Sequence, residues 1–165
     1  MLFVKNHRIY TRSVSFALPE NMSIVTDPEH DQPDCLILET ADGQFTLEIF
    51  ADDVLGTPKD LIQEVVDSPE FVVHTEPFPI ERGGMNGYAA YYGTKDDSES
   101  YYEEYLQYPM NEDGQSILNI CICRVVIEGK ETIETEAFVA QPNIKSFFDS
   151  IRYEPEVCCQ IIGLC

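Results

Sequence analysis

The sequence predicts an α+β domain, in which an antiparallel β-sheet forms a meander and helices pack on it. Most of the chain alternates between apolar and polar residues, whereas helical periodicity occurs only after residue 57 and again near the C-terminus. Helices that are far apart in sequence and cover one sheet form a layered α+β domain. Because 165 residues with 44% hydrophobic content suffice for one core, we expect a single domain over 1–165, with its core at about 8–153 and a tail at 154–165.

Strand patterns dominate the first third of the chain. One or two short strands are expected within 8–18, and two more at 35–40 and 44–51. The segment Asp42-Gly43 between the last two is a hairpin signal, because glycine readily takes a positive φ. Apolar residues alternate with polar ones in 44–51, which is typical of a half-buried strand.

The first helix is expected to begin after Thr57. Thr57 can cap this helix, Pro58 suits its first position, and Asp60 lies near the positive end of the helix dipole. The helix is expected to end before Pro69. Its apolar residues share one face, and they are Leu61, Ile62, Val65 and Val66.

An antiparallel meander is expected next, with strands at about 70–82, 86–94, 99–109 and 115–127. Both faces of the last strand are apolar, which predicts a central strand that is covered on both sides. The glycine-rich segment 82–87 lacks the Lys-Ser/Thr that follows a phosphate loop, so we interpret it as a turn.

The C-terminal part predicts a helix with a narrow apolar stripe. Its apolar residues follow the i, i+3, i+4, i+7 spacing of one helix face, and they are Ile144, Phe147, Phe148 and Ile151. A shorter helical piece is expected within 133–138, and Pro142 is expected to interrupt it. Residues 155–165 show no periodicity, so no helix or strand is predicted there.

The charge balance excludes one class of partner. The chain has 30 acidic and 10 basic residues, for a formal net charge of -20, and the basic residues form no run. A protein that neutralises phosphates needs clustered Lys and Arg. We therefore expect no nucleic-acid partner and no binding to an anionic membrane, whereas a basic partner or a cation would be attracted.

Neither a membrane span nor a secretion signal is predicted. No segment reaches the roughly 20 apolar residues of a membrane-spanning helix. The apolar patch Leu2-Phe3-Val4 is shorter than the core of a signal peptide, about 7–15 residues. We therefore expect no membrane insertion and a cytoplasmic location. The six cysteines show no disulfide framework, so those of the tail, Cys158, Cys159 and Cys165, are expected to be free thiols.

Three segments resemble landmarks of the PsbP-like superfamily. They are 14–22 (VSFALPENM), the segment Met85-Asn86-Gly87-Tyr88 that opens a middle strand, and 144–153 (IKSFFDSIRY). Trp is frequent in relatives where this chain has Met22, and the last segment of relatives ends in Ser-Phe-aromatic where this chain has Ser150-Ile151-Arg152-Tyr153. The similarity covers about residues 8–153.

This resemblance implies an α/β/α sandwich and a role in binding or assembly. The superfamily includes the photosystem protein PsbP, a Ran-binding import factor, bacterial proteins of unknown function and small acidic chaperones of secreted effectors. It offers no catalytic residue set, and it implies no cofactor. We accordingly expect a bacterial, non-enzymatic protein.

The tyrosines indicate a possible partner surface. Seven of them lie on two neighbouring strands, which cannot easily hide every ring. Alternation places Tyr101 and Tyr105 on one face with Glu103, and cross-strand packing explains many of the other rings. Because Tyr is enriched at protein interfaces, we predict a partner surface with an acidic rim. Its expected residues are Tyr91, Tyr101, Glu103 and Tyr105.

The leading hypothesis is therefore a protein-binding module, of the chaperone or assembly-factor kind, for a secreted, basic or hydrophobic protein. The alternative is a metal-binding protein or an enzyme that uses the acidic loop 27–34 or the cysteines. Cys121 and Cys123 lie on one face of a strand, but C-x-C matches a zinc site poorly, and His74 forms no motif with them. We expect no cofactor, no bound metal and no catalytic residue.

Overall fold

The computed structural model describes residues 2–25, 35–53, 56–110, 114–163 and 165, so the acidic loop 27–34 lies outside the described residues. The strands of this part are β1 (Phe3–Lys5), β2 (Arg8–Tyr10), β3 (Val14–Ala17), β4 (Met22–Ile24), β5 (Cys35–Thr40), β6 (Phe45–Asp53), β7 (Phe71–Val73), β8 (Phe78–Arg82), β9 (Met85–Thr94), β10 (Glu99–Met110), β11 (Gly114–Val125) and β12 (Arg152–Tyr153). The helices are α1 (Pro58–Val66), α2 (Thr135–Val139), α3 (Pro142–Asp149) and α4 (Pro155–Ile162).

The larger sheet is antiparallel and contains the predicted meander. Its strand order is β4-β5-β6-β11-β10-β9-β7, and β8 pairs with β9 as well. Successive strands β9, β10 and β11 are neighbours, with Glu104 of β10 between Ala89 and Ile120. The helices pack on these sheets, which confirms the predicted α+β fold.

A smaller sheet, of order β1-β2-β3-β12, joins the two ends of the chain. Helix α4 packs on β2 and β3 of this sheet, and Cys158 of the helix is fully buried. The sequence pattern of 155–165 did not indicate this helix. Helix α4 begins with Pro155 in its first turn and ends at Gly163, whose positive φ of 77° suits glycine.

The tail also holds a disulfide. Cys159 and Cys165 are bonded to each other, so the prediction of free thiols is wrong for these two residues. Their spacing of six residues places them on the last turn of α4 and just beyond it.

The main core lies between the larger sheet and helices α2 and α3. The predicted stripe of α3 is confirmed, because Ile144, Phe147 and Phe148 are buried. Phe147 contacts Phe16 of β3 edge to face, with ring centroids 5.8 Å apart. Pro142 begins α3 rather than only interrupting the helix before it, since the first helical position needs no N–H partner.

Helix α1 covers part of the opposite face of the larger sheet. Its predicted start is confirmed, because Thr57 Oγ1 accepts the N–H of Asp60 at 3.3 Å. Ile62 and Val66 are buried and pack against the β9–β10 region, where Tyr88 and Tyr105 flank them. None of the helices in the described residues is long and apolar enough to cross a membrane.

Strand β11 is central, as predicted, but its two faces differ. It lies between β6 and β10, and Leu118, Ile120 and Ile122 on one face are fully buried. Cys121 and Cys123 on the other face are only half-buried. The prediction that both faces are covered is therefore wrong in the described part of the chain, because α1 lies over β9 and β10 rather than over β11.

Candidate binding surface on the open sheet face

The half-buried side of strands β5, β6 and β11, beside α1, forms a surface that we call the open face. Burial alternates along β5 up to Glu39 and along β6 up to Phe50, with one side buried and the other half-exposed. The cross-strand rows of this face are fixed by register: Cys121 lies beside Glu48, which lies beside Ile37. The open face consists of Cys35, Ile37, Glu39, Thr46, Glu48, Phe50, Asn119, Cys121, Cys123 and Val125, with Tyr101 at its border on β10.

The open face combines apolar and acidic side chains. Its charged residues are Glu39 and Glu48, and Glu99 lies next to Tyr101 along the border strand. No Lys or Arg belongs to this set of described residues. A surface of this composition attracts cations and apolar groups together.

The predicted tyrosine surface is brought together only in part. Tyr101, Glu103 and Tyr105 share one side of β10, as the alternation predicts. Tyr105 packs against the Ile62 and Val66 cluster of α1 and donates a hydrogen bond to Glu103 Oε1 at 3.0 Å, and Glu103 is buried. All three lie beside open-face residues of β11, and Tyr101 is the half-exposed one that α1 does not contact through the Ile62 and Val66 cluster.

Tyr101 is held in a small aromatic cluster. Its ring stacks on Tyr92, with centroids 4.9 Å apart, and Phe71 of β7 contacts both rings at 4.9 and 5.8 Å. The Tyr101 hydroxyl donates a hydrogen bond to Glu99. This cluster fixes the position of Tyr101 at the border of the open face, and it packs the edge strand β7 against the sheet.

Tyr91 lies on the opposite face of the sheet. It pairs with Tyr102 across β9 and β10, and the two ring centroids are 4.8 Å apart. Burial, followed by the nearby carboxylates of Glu136 and Glu104, raises the pKa of Tyr91 to about 12. The four predicted residues therefore do not form one surface, because Tyr91 belongs to the core side.

The acid pair Glu103-Glu104 is also divided between the two faces. Glu104 is fully buried on the core side, where Arg82 Nε contacts its two carboxylate oxygens at 2.8 and 3.0 Å. Consecutive residues of a strand point to opposite sides of the sheet, so these two carboxylates cannot act together on one substrate. Sequence reasoning missed this ion pair, because Arg82 and Glu104 meet only through the β8–β9–β10 register.

Two thiols of the open face, those of Cys121 and Cys123, are held in the protonated form. Burial, with the charges of Glu103 and Glu48, raises the pKa of Cys121. Burial, with the charge of Glu99, raises the pKa of Cys123 to about 11. The thiolate is the reactive and metal-binding form. His74 is exposed and lies on the side of the sheet opposite Cys121 and Cys123, so it does not approach either thiol.

We expect Cys123 to react slowly with iodoacetamide in the native protein. At pH 8, a thiol with a pKa of about 11 contains roughly a hundredfold less thiolate than an ordinary cysteine. Mass spectrometry of the alkylated peptide should show a rate that still rises above pH 10. The same peptide in urea serves as the control, and an equal rate in the native and unfolded chains would contradict the environment described above.

No group of three or more His, Cys, Asp or Glu side chains within the described ranges is arranged to hold a metal ion.

Two clefts occur on the surface, one near Asn143 and α3 and the other near Lys59 and α1. Neither lining includes a cysteine, a histidine or a buried carboxylate. The side chains with raised pKa values, such as Cys121 and Cys123, thus lie on the sheet and do not line either of these clefts.

The chain matches no protein-family model and no curated protein. It is similar in structure to LpqN, involved in cell envelope biogenesis of Mycobacterium tuberculosis, with 10% identity, a TM-score of 0.51 and coverage of 86% of this chain and 83% of LpqN. It is also similar to the Ran-binding protein Mog1p of Saccharomyces cerevisiae, with 4% identity, a TM-score of 0.53 and coverage of 88% and 93%. These similarities extend over most of each chain, and the chain therefore has the fold of the PsbP-like proteins that its sequence landmarks predict.

Proposed function

We propose that this chain is a non-enzymatic protein-binding module, of the chaperone or assembly-factor kind, that binds a basic and partly apolar segment of its partner on the open face. The observation that carries the proposal is the alternation of burial on β5 up to Glu39 and on β6 up to Phe50, which leaves an apolar and acidic sheet face beside α1. On this sheet side Ile37, Phe50 and Tyr101 stay partly exposed, so they offer apolar contacts to a partner.

Three further observations support this proposal. The net charge of -20 favours a basic partner through long-range attraction. The raised pKa values of Cys121 and Cys123 disfavour thiolate chemistry. Among proteins of the same fold, Mog1p is described as Ran-binding, which is an example of protein recognition by this fold.

Reversing one charge on the open face should weaken partner binding. Glu48 is half-buried between Cys121 and Ile37, so Glu48→Lys would place an ammonium against a basic partner. We expect the affinity to fall at least about tenfold. The measurement is affinity capture of the tagged chain from its cell extract at low salt, followed by titration of the purified partner.

Glu156→Lys is the matched control, because Glu156 is exposed on α4 at the smaller sheet and the change in net charge is identical. This variant should keep its affinity within about threefold, the range of a purely long-range charge effect. Equal loss in both variants would show that only net charge matters. Unchanged binding by Glu48→Lys would remove the open face from the proposal.

A further inference from the structure

We propose that the outer edge of β7 binds an extended, positively charged segment of a partner protein as an additional strand of the larger sheet. This site is separate from the open face, and it does not depend on the function proposed for that face. It rests on the exposure, the backbone pattern, the aromatic support and the charge of the segment around β7.

β7 is a short terminal strand that carries neither a charge nor a proline, and a bulge at His74 and Thr75 follows it, where both N–H groups donate to the Tyr91 carbonyl. β7 is the last strand of the larger sheet, and its three residues are Phe71, Val72 and Val73. Val72 is 45% and Val73 36% exposed. Natural edge strands are usually protected by Lys, Pro, a bulge or a cover. The β-branched side chains of β7 favour an extended conformation.

The backbone of β7 offers hydrogen-bonding groups on its outer side. His74 donates its N–H to Tyr91 at 2.9 Å, and Val72 pairs with Gly93 in the same register. Hydrogen-bonded pairs alternate along an antiparallel ladder, so the N–H and C=O of Val73 point away from β9. The C=O of Phe71 points the same way, while its N–H is bonded to the Ser68 carbonyl at 3.2 Å.

β7 is held in place before any partner arrives. Phe71 packs against Tyr92 and Tyr101, which lie on the next two strands of the sheet. Just beyond β7, Thr75 bonds to β9 through its N–H and its hydroxyl. A fixed edge loses little conformational entropy when a strand is added, which favours binding.

The charge around β7 selects the partner. Glu70 and Glu76 lie on either side of the strand, and both are exposed. A second copy of this chain would bring another net charge of -20 to the same edge, which opposes self-pairing. An extended segment that alternates Lys or Arg with β-branched residues satisfies both the backbone and the charge, in the manner of strand addition to a sheet edge.

The first test uses a synthetic nine-residue peptide in which Lys and Val alternate. We expect the peptide to bind at low salt and to slow the amide hydrogen exchange of Val73 at least about tenfold, as NMR would show. A peptide methylated on every second amide keeps one bonding edge and should still bind. A peptide methylated on every amide should bind at least about tenfold more weakly. Equal binding by all three peptides, or no protection of Val73, would overturn the proposal.

The second test changes the protein. Val73→Pro removes an N–H that faces away from the sheet, so we expect folding to be retained and peptide affinity to fall at least about tenfold. Val73→Thr keeps the N–H and should bind within about threefold of the unchanged chain. If Val73→Pro does not fold, the methylated peptides decide the question. Unchanged affinity in a folded Val73→Pro variant would overturn the proposal.

Glu48→Lys separates this site from the open face. Because Glu48 lies on β6, away from β7, we expect this variant to bind the peptide as Glu156→Lys does. Loss of peptide binding in Glu48→Lys alone would place the peptide on the open face and overturn the assignment to β7. Loss of the natural partner with retention of the peptide would support two separate sites.

Discussion

Arg82→Met is expected to lower the free energy of unfolding by about 3–5 kcal/mol at pH 7.5, because it leaves a buried carboxylate without its partner. Glu104 has no exposed surface, and Arg82 Nε lies 2.8 and 3.0 Å from its two oxygens. The guanidinium also lies over the Phe148 ring, 4.2 Å from the centroid, and bonds to the Tyr102 hydroxyl at 3.2 Å. Chemical denaturation measures the loss.

The loss in Arg82→Met should depend on pH. Burial raises the pKa of Glu104, and Arg82 is the strongest influence that lowers it. Without Arg82 the native state holds the proton of Glu104 more tightly than the unfolded chain does. The stability of the variant then falls as pH rises through the native pKa of Glu104. Its deficit relative to the unchanged chain is smallest near the pKa of an unfolded glutamate, about 4.3. We expect a larger deficit at pH 7.5 than at pH 5.

Replacing both members of the ion pair provides the control. Arg82→Met combined with Glu104→Leu removes the stranded charge, so most of the lost stability should return and the pH dependence should disappear. A deficit in the single variant that is equal at both pH values would mean that lost packing on Phe148, rather than an unpaired carboxylate, accounts for the effect.

The sequence predicts the strands and the two main helices because their signals are local. The cap at Thr57 and the four-residue stripe from Ile144 to Ile151 need no knowledge of other elements. Helix α4 escaped prediction because most of its residues are apolar, so its sequence shows no single apolar stripe. It is stabilised by docking on β2 and β3, where Cys158 is buried, and that contact joins distant parts of the chain.

The candidate surface was less predictable, because it depends on pairing between strands. Alternation places Tyr101, Glu103 and Tyr105 on one side of β10. The side taken by Tyr91 follows only from its register opposite Tyr102. Which of these residues stay accessible depends on where α1 lies, and α1 covers Tyr105 but leaves the β5, β6 and β11 side open. No local pattern contains that information.

Gly83→Ala should be far more destabilising than Gly84→Ala, although both glycines belong to the turn between β8 and β9 that the sequence predicts. Both have a positive φ, 54° at Gly83 and 87° at Gly84, so each substitution carries a backbone cost of about 1 kcal/mol. A Cβ at Gly83 would lie 2.2 Å from the Ile151 carbonyl oxygen and 2.8 Å from the Arg152 Cα, whereas a Cβ at Gly84 meets nothing within 4 Å.

The difference between the two variants measures how tightly this turn is joined to the C-terminal segment. The Gly83 carbonyl accepts the N–H of Tyr153 on β12, so the turn connects the larger sheet to the smaller one. Neither the backbone of the turn nor that of residues 151–152 can shift without moving a sheet. We therefore expect Gly83→Ala to lower the free energy of unfolding by an additional amount of about 1–3 kcal/mol. Thermal and urea unfolding of both variants provide the comparison. Equal stability of the two would mean that the contact between the turn and residues 151–153 is loose, and that the two sheets are held together by the α3 and α4 packing instead.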